Sequence, residues 1–400
     1  AGTPGLGKFL TFTLRGRPRA YAQTLTFPIV GTNQTKFYNN RVEIEAPGPN
    51  DPFYGQDATY ADSGTSYTDN GDGTITDNIT GLMWVKARGS KMTWDEAVAG
   101  ASKNNTAGYD DWRMPSIQEL YSLFLFSGQN GSSVYSTEGY TPYIDTAFFE
   151  FEYGSGIGRE RVMECQDWSG TEYVSTTQHN QPTVFGVNFA DGRSKGYKKY
   201  LPPTWTELND ALYVRYVRGN AEYGKNNFMN NNDGTISDLA TGLMWSEEDS
   251  KKGMNWKEAL AWVQEKNSEN FLGHNNWRLP NIKELHSIVD YTCSPEKTSS
   301  AAIHTDYFKC STIINEANQE DYPYYWTGTV LVAGGPTREA CYIPFGRAMA
   351  KMDGVWQDVH GAGSQKSDVM IGDPADYPKG HGPQGDAVRI YNYVRLVRDI

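Results

Sequence analysis

The chain has 400 residues, of which 36 are basic and 48 acidic, so its formal net charge is −12 at pH 7. Its length suits two domains of about 150–200 residues each. Its 41 glycines, 26 tyrosines and 11 tryptophans, with only 21% charged residues, favour an aromatic, loop-rich, β-containing protein over a helical bundle or a disordered chain.

The first predicted element is a strand-like segment, GKFLTFTLRGRPRAYAQTLTF, over residues 7–27. It alternates apolar with hydroxyl side chains, and it carries four basic residues and no acid. Residues 1–42 hold six basic side chains, whereas the remaining residues carry 30 basic and 48 acidic ones. The acidic body argues against a nucleic-acid partner and attracts the basic N-terminal arm. No apolar run approaches the roughly 18 residues of a membrane helix, so we expect no membrane insertion.

After the arm, the chain contains two copies of one sequence. DNGDGTITDNITGLMW returns as NNNDGTISDLATGLMW, YDDWRMPSIQELYSL returns as HNNWRLPNIKELHSI, and each copy closes with a YVR-x-VR strand. The spacing exceeds that of solenoid repeats and indicates tandem domains. We expect an arm over residues 1–30 and domains over 31–219 and 220–400. The motif residues predicted to be structural are Trp84, Trp112 and Arg113, and their equivalents Trp245, Trp277 and Arg278.

Each copy is predicted to open with a β-hairpin. Asp72-Gly73 and Asp233-Gly234 are dipeptides typical of a two-residue type I′ turn. An EF-hand interpretation of the same stretch fails, because the loop register places Thr68 and Ile79 at ligand positions. We therefore expect no metal here, and calcium in other acidic loops is left open.

Two helices are predicted in each copy from capping-box spacing. The pairs are Thr93 with Glu96, Ser116 with Glu119, Asn255 with Glu258, and Asn281 with Glu284. Apolar residues three and four positions apart are expected to face the core. They are Trp94, Ala97, Val98 and Ala101, then Ile117, Leu120, Tyr121 and Phe124, and in the second copy Trp256, Ala259, Leu260 and Val263.

The later part of each copy is predicted to form short aromatic strands. DWSGTEYVSTT and YWTGTVLVAG are the expected equivalent core strands. The Gly-, Pro- and Asp-rich stretch from about 353 to 386 is expected to be a surface insertion peculiar to the second copy.

The ordered motifs DGTITDNITGLMW, TWDEA, DWRMPSIQEL, DWSGT and YVRYVR resemble the domain at the C-terminus of the Legionella collagen-like adhesin. The resemblance covers nearly everything after residue 30. It implies two C-type-lectin-like α+β domains, each with two helices flanking twisted antiparallel sheets, related to formylglycine-generating enzymes. Because that adhesin binds sulfated glycans, the resemblance also implies a lectin. The acidic body here would repel sulfated polymers, so a glycan ligand would be neutral or bridged by cations.

No catalytic constellation is expected. The six histidines lack metalloprotease spacing, and no nucleophile elbow or P-loop occurs. The redox chemistry of formylglycine-generating relatives requires paired thiols, and the first copy has only Cys165. His286 lies on an apolar helix face and is expected to be structural. Arg113 and Arg278, held between Trp and Pro, are expected to pair with a carboxylate or with carbonyls.

The four cysteines show no CxxC or zinc spacing. Cys293 and Cys310 bracket a short polar loop of the size that a surface disulfide closes in exported proteins, and we predict that they are joined. Four reduced thiols are the alternative, and the pairing of Cys165 and Cys341 is left open.

The arm has two interpretations. It packs on its own first domain or stays unfolded, or it adds as a strand to a neighbouring subunit, because a free apolar strand is normally covered. The polymerisation residues would be Phe9, Leu10, Phe12, Leu14, Arg15, Arg17, Arg19, Leu25 and Phe27. Head-to-tail exchange would build a bacterial extracellular or cell-surface filament. The alternative function is a secreted or surface glycan-binding adhesin; an enzyme is not expected.

Overall fold

The computed structural model describes residues 25–60, 64–158, 160–200, 211–334 and 338–400. These residues form an α+β protein that is mostly sheet, as the resemblance implied. Among them, no helix has the length and apolar character needed to cross a membrane. Seven of the predicted polymerisation residues lie outside the described residues: Phe9, Leu10, Phe12, Leu14, Arg15, Arg17 and Arg19.

A short leader, residues 25–60, precedes the first copy. The leader and both copies are built from short elements. The leader holds β1 (Phe37–Tyr38) and β2 (Glu43–Ile44). The first copy contains β3 (Tyr67–Asp69), β4 (Thr74–Asp77), β5 (Leu82–Val85), α1 (Trp94–Ala101), α2 (Ile117–Tyr121), β6 (Asp167–Thr177), β7 (Gln181–Asn188), β8 (Arg193–Lys198) and β9 (Val217–Gly219).

The second copy repeats this order with additional strands. It contains β10 (Phe228–Asn230), β11 (Thr235–Asp238), β12 (Leu243–Ser246), α3 (Trp256–Ser268), α4 (Ile282–Ser287), β13 (Ile313–Ile314), β14 (Glu320–Asp321), β15 (Tyr324–Leu331), β16 (Glu339–Pro344), β17 (Met349–Met352), β18 (Val355–Asp358), β19 (Lys366–Val369) and β20 (Val397–Asp399).

Two antiparallel sheets recur in each copy. One has four strands, in the order β3-β4-β5-β9 in the first copy and β10-β11-β12-β20 in the second. The closing YVR-x-VR segment thus pairs with the LMW strand, with Trp84 opposite Val217 and Trp245 opposite Val397. The other has three strands, β6-β7-β8 in the first copy and β15-β16-β19 in the second.

All four helices begin at the predicted capping boxes, each with reciprocal side-chain and main-chain hydrogen bonds. The predicted apolar faces of α2 and α3 are buried. On α1 one prediction was wrong: the Val98 side chain is 42% exposed, although its equivalent Leu260 is 1% exposed. The two equivalent helices also differ in length, since α1 has eight residues and α3 has thirteen.

The opening hairpins form, but the predicted two-residue turn was wrong. Asn70 N donates to Thr74 O and Asn231 N donates to Thr235 O, which leaves three residues in each loop. Gly71 and Gly73 have positive φ and Asp72 does not, whereas a type I′ turn requires two consecutive positive values. The Asp72 side chain instead accepts hydrogen bonds from Thr74.

The interpretation of residues 353–386 as a surface excursion was also wrong in part. The stretch contains β19, which pairs with β16 and is the second-copy equivalent of β8. His360, Gln365 and Lys366 are buried. Glycine-rich flanks concealed a core strand, because the short period-2 pattern of β19 carries lysine and aspartate at buried positions.

The leader connects the two copies. Phe126 N, in the first copy, donates to Thr32 O. The Gln34 side-chain amide exchanges hydrogen bonds with the main chain of Val330 in β15 at 2.6 and 2.8 Å. The buried Asp57 carboxylate accepts from Thr32 and from Thr329. The leader therefore belongs to both copies rather than to the first alone.

Leu25 and Phe27 also belong to the body of their own chain, so placing them in a neighbouring subunit was wrong. Phe27 is 2% exposed, its N–H donates to Ala240 O, and its ring lies 4.6 Å from that of Tyr223. Leu25 packs over Gly242. The body therefore begins before residue 30, because these apolar side chains find a cover within the second copy.

One hydrophobic core cluster contains residues of both copies, and each copy also has a separate cluster of its own. The equivalent residues Tyr121 and His286 stack on each other with ring centres 3.9 Å apart and planes 7° apart. α2 contacts α4, and Phe185 in β7 contacts Tyr291 in the second copy. Because equivalent residues meet each other, the copies are related by an approximate two-fold axis that passes between α2 and α4.

A polar cavity between the two copies

A polar cavity lies where the two three-stranded sheets meet. Gln365 N donates to Ser194 O at 3.1 Å and links β19 to β8. Beside this link is a cavity of about 620 Å³, walled by residues of both copies. The side chains that bear charge on its wall are Arg161, Glu164, Asp191, Arg193, Lys195, Lys198, Glu339, Lys366, Asp368 and Asp386. Acidic and basic groups are equal in number, so the wall carries no net charge.

A buried ionic cluster forms one side of the cavity. Lys366 Nζ lies 2.5 Å from Asp386 Oδ2, and His360 Nε2 lies 2.6 Å from Asp386 Oδ1. Burial alone would raise the pKa of Asp386, but Lys366 and His360 outweigh it and hold this pKa well below its usual range. Burial and the neighbouring Lys366 lower the pKa of His360 to about 4, so its ring is neutral at pH 7.

A second ionic group joins the copies directly. Arg193 of β8 donates to Glu339 Oε2 at 3.0 Å and to Ser367 Oγ at 2.8 Å. Nearby, the Asp368 carboxylate accepts main-chain N–H groups of Arg389 and Ile390, and its burial raises its pKa to about 7. These side chains are paired with one another, so the described wall offers hydrogen-bonding groups rather than an unpaired nucleophile.

The Trp-Arg-x-Pro turns hold the predicted arginine pairs. Arg113 makes two hydrogen bonds to the Glu119 carboxylate, both at 2.6 Å, and Arg278 reaches Glu284 in the same way. Each glutamate also accepts the N–H of its helix cap, so one carboxylate fixes both the turn and the helix start. These arginines lie at helix starts and do not line the cavity.

The motif tryptophans are core residues in both copies. Trp84 and Trp245 are fully buried, and Trp112 and Trp277 are 4% and 1% exposed. Trp112 Nε1 donates to Thr106 O, and Trp277 Nε1 donates to Phe271 O. His286 is buried against Tyr121 and lies 2.8 Å from the Tyr291 hydroxyl, and burial lowers its pKa to about 3.

The predicted disulfide between Cys293 and Cys310 is not formed; all four cysteines are free. The two thiols face different groups: Cys293 Sγ approaches the Asp290 carboxylate, while Cys310 Sγ accepts from Arg395. Burial raises the pKa of Cys165 to about 12 and also raises that of Cys341, which lies in the shared core. Sequence spacing indicated loop size but not the direction of either side chain.

No group of three or more His, Cys, Asp or Glu side chains arranged for a metal ion occurs among the described residues. The cavity residues Arg193, Lys366 and Asp386 were missed from sequence, because they belong to different copies and meet only through the link between β8 and β19. Charged and uncharged residues alternate over Lys366-Ser367-Asp368-Val369. This alternation is the signal that could have identified the strand.

Fold and site together define a tandem α+β protein whose two copies share a core and enclose a polar cavity. The Lcl C-terminal domain family model matches residues 73–218 and again residues 234–360, which is more than half of the chain. The chain therefore belongs to the Lcl C-terminal domain family, in two tandem copies. No match to it was found among curated proteins or among solved structures.

Proposed function

We propose that the chain is a non-enzymatic structural subunit of a bacterial extracellular filament, in which the N-terminal arm of one subunit pairs with the next. The observation that carries this proposal is the fixed position of Leu25 and Phe27 on the body. They hold the start of the described chain at the second copy.

The arm's composition supports exchange between subunits. Leu10, Phe12 and Leu14 share one face of an alternating strand, and burying each contributes about 1.5–3 kcal/mol before ordering costs. Arg15, Arg17 and Arg19 follow and complement a body rich in acids. One donor and one acceptor on each chain give a head-to-tail contact, which propagates as a fibre or closes as a ring.

Deleting residues 1–24 tests the proposal, because this deletion spares Phe27. The full chain should form fibres in negative-stain images, and the shortened chain should be a monomer with an unchanged melting temperature. Phe12→Asp should have the same effect, since it places a charge in an apolar contact. Fibres of the shortened chain would refute the proposal, and a lower melting temperature would indicate an arm folded on its own body.

A glycan-binding adhesin is the second candidate, and we propose each copy as a C-type-lectin-like domain. Membership of a family named for an adhesin supports it, as do exposed tyrosines that could stack on sugars, including Tyr135 at 57% and Tyr391 at 48% exposure. Specific binding on a glycan array that persists after deletion of residues 1–24 would favour this function. A fibre can also display such domains.

A further inference from the structure

The cavity between the copies contains an open sheet edge. Immediately before β19, the main chain of Gln365 points toward β8, and Gln365 N donates to Ser194 O. Since main-chain groups alternate along a strand, those of Ser367 and Val369 point to the same side, away from β16. Both residues line the cavity, and among the described residues no other strand pairs with their main chain on that side. The Val369 N–H contacts the carboxylate of the adjacent Asp368.

The edge is open because β8 begins too late to cover it. β8 starts at Arg193, and the turn that joins it to β7 lies beyond the link at Ser194. β19 runs antiparallel past this turn and continues to Val369 with no neighbouring strand on that side in the part of the chain that the structure describes. An uncovered edge with paired strands behind it is a site for an added strand.

Resting on the arm exchange proposed above, we infer that this edge of β19 is the acceptor for residues 9–14 of a neighbouring subunit. Six extended residues span about 20 Å, which suits a short edge in a cavity rather than a long groove. Main-chain donors and acceptors that no neighbouring strand pairs favour binding of an extended peptide. A sugar would not satisfy them in ladder order.

The cavity wall also suits the arm's alternating side chains. Apolar groups from Val134, Met163, Ala333, Val369 and Val388 line it together with the ionic groups. One face of the arm carries Leu10, Phe12 and Leu14, and the other carries Thr11 and Thr13. Because charges on the wall balance, attraction between subunits comes from the acidic body as a whole, and the cavity supplies pairing and apolar contact.

Val369→Pro tests the acceptor directly. Proline removes an N–H whose contact within the chain is the adjacent Asp368 carboxylate, which keeps its bonds to Arg389 and Ile390, so folding should survive while the added strand loses a bond.

Asn230→Pro is the matched control, and Asn230→Ala accounts for loss of the Asn230 side chain, which accepts a hydrogen bond from Asn232 N. Asn230 lies on the edge strand β10. The neighbouring Asn231 N donates to Thr235 O across the hairpin, and Leu239 N donates to Asn227 O, so the Asn230 N–H points away from the sheet because main-chain groups alternate along a strand. Ser132→Trp, on the exposed rim of the cavity, blocks entry without altering β19.

Val369→Pro and Ser132→Trp should each abolish fibres at an unchanged melting temperature, whereas Asn230→Pro should still assemble. Mixing Phe12→Asp, which has no working donor, with Val369→Pro, which has no working acceptor, should give two-subunit complexes by analytical ultracentrifugation. Neither variant should form them alone. Fibres of both cavity variants, with none from the chain lacking residues 1–24, would overturn this acceptor and leave arm exchange standing. Fibres without the arm would overturn both.

Discussion

The two copies bind an equivalent buried arginine through the same kind of hydrogen bonds. At a neighbouring buried position, however, the first copy has a basic side chain and the second an acidic one. Arg215 and Arg395 each donate to carbonyls after the LMW strand and to one carbonyl farther along. Beside them, the first copy pairs Arg88 with Asp167 at 3.1 Å, whereas the second places Asp249 against the Tyr325 hydroxyl at 2.6 Å.

The difference separates the requirements of the fold from those of each copy. A buried carbonyl without a hydrogen-bond donor destabilises the fold. Because the same carbonyls are buried in both copies, both copies have an arginine at this position. A buried charge requires only a partner, and either an ion pair or a hydroxyl supplies one. The backbone therefore tolerates a change of sign as long as both partners change together.

Arg215→Met and Arg395→Met should each lower the free energy of unfolding by about 4 kcal/mol, because three buried carbonyls lose a donor that is worth about 1–3 kcal/mol each. Chemical denaturation measures both. Arg41→Met, at an exposed leader residue, is the control and should change little. A large loss in one copy and a small loss in the other would show that the two sites are not equivalent.

The stacked pair at the axis gives a pH test. His286 is neutral when folded, with a pKa of about 3 against an ordinary value of 6.5. As pH falls below 6.5, the unfolded chain takes up a proton that the folded chain does not, so stability is lost. At pH 4 this loss is about 3 kcal/mol.

His286→Phe should therefore lose less stability than the natural chain between pH 7 and pH 4, in denaturation curves recorded at both values. Tyr121→Phe changes the equivalent residue of the first copy without removing a titrating group in this range, and it should keep the full acid sensitivity. Equal acid sensitivity in the natural chain and in His286→Phe would show that His286 does not control it.

The smallest predicted effect concerns the paired turns. Arg278→Met should cost about 2 kcal/mol and Arg113→Met about 1 kcal/mol, because breaking an ion pair costs more where it is less exposed. The Arg278 side chain is 12% exposed and that of Arg113 is 36% exposed. Melting curves and fibre images check the pair. Loss of assembly at unchanged stability would give these arginines a binding role.

Local patterns in the sequence were sufficient to predict the repeat, the four helix starts and the pairing of Arg113 and of Arg278 with a polar partner. Each depends on residues within a few positions, as with Ser116, Glu119 and Arg113, whose hydrogen bonds close inside one turn. The α+β class followed from the family resemblance. The hairpins were predicted, but their turn length was not, because Asn70 rather than Gly71 pairs with Thr74, which leaves Gly71 in the loop.

Only the tertiary structure decided how the copies meet. The core strand β19, the free cysteines, the burial of Phe27 and the cavity all depend on contacts between residues that are distant in sequence. Capping and pairing energies act between near neighbours and leave a local signal. The two-fold packing of Tyr121 on His286, and the edge left open beyond the link at Ser194, arise from burying apolar surface, which is non-directional and leaves no local signal of its partner.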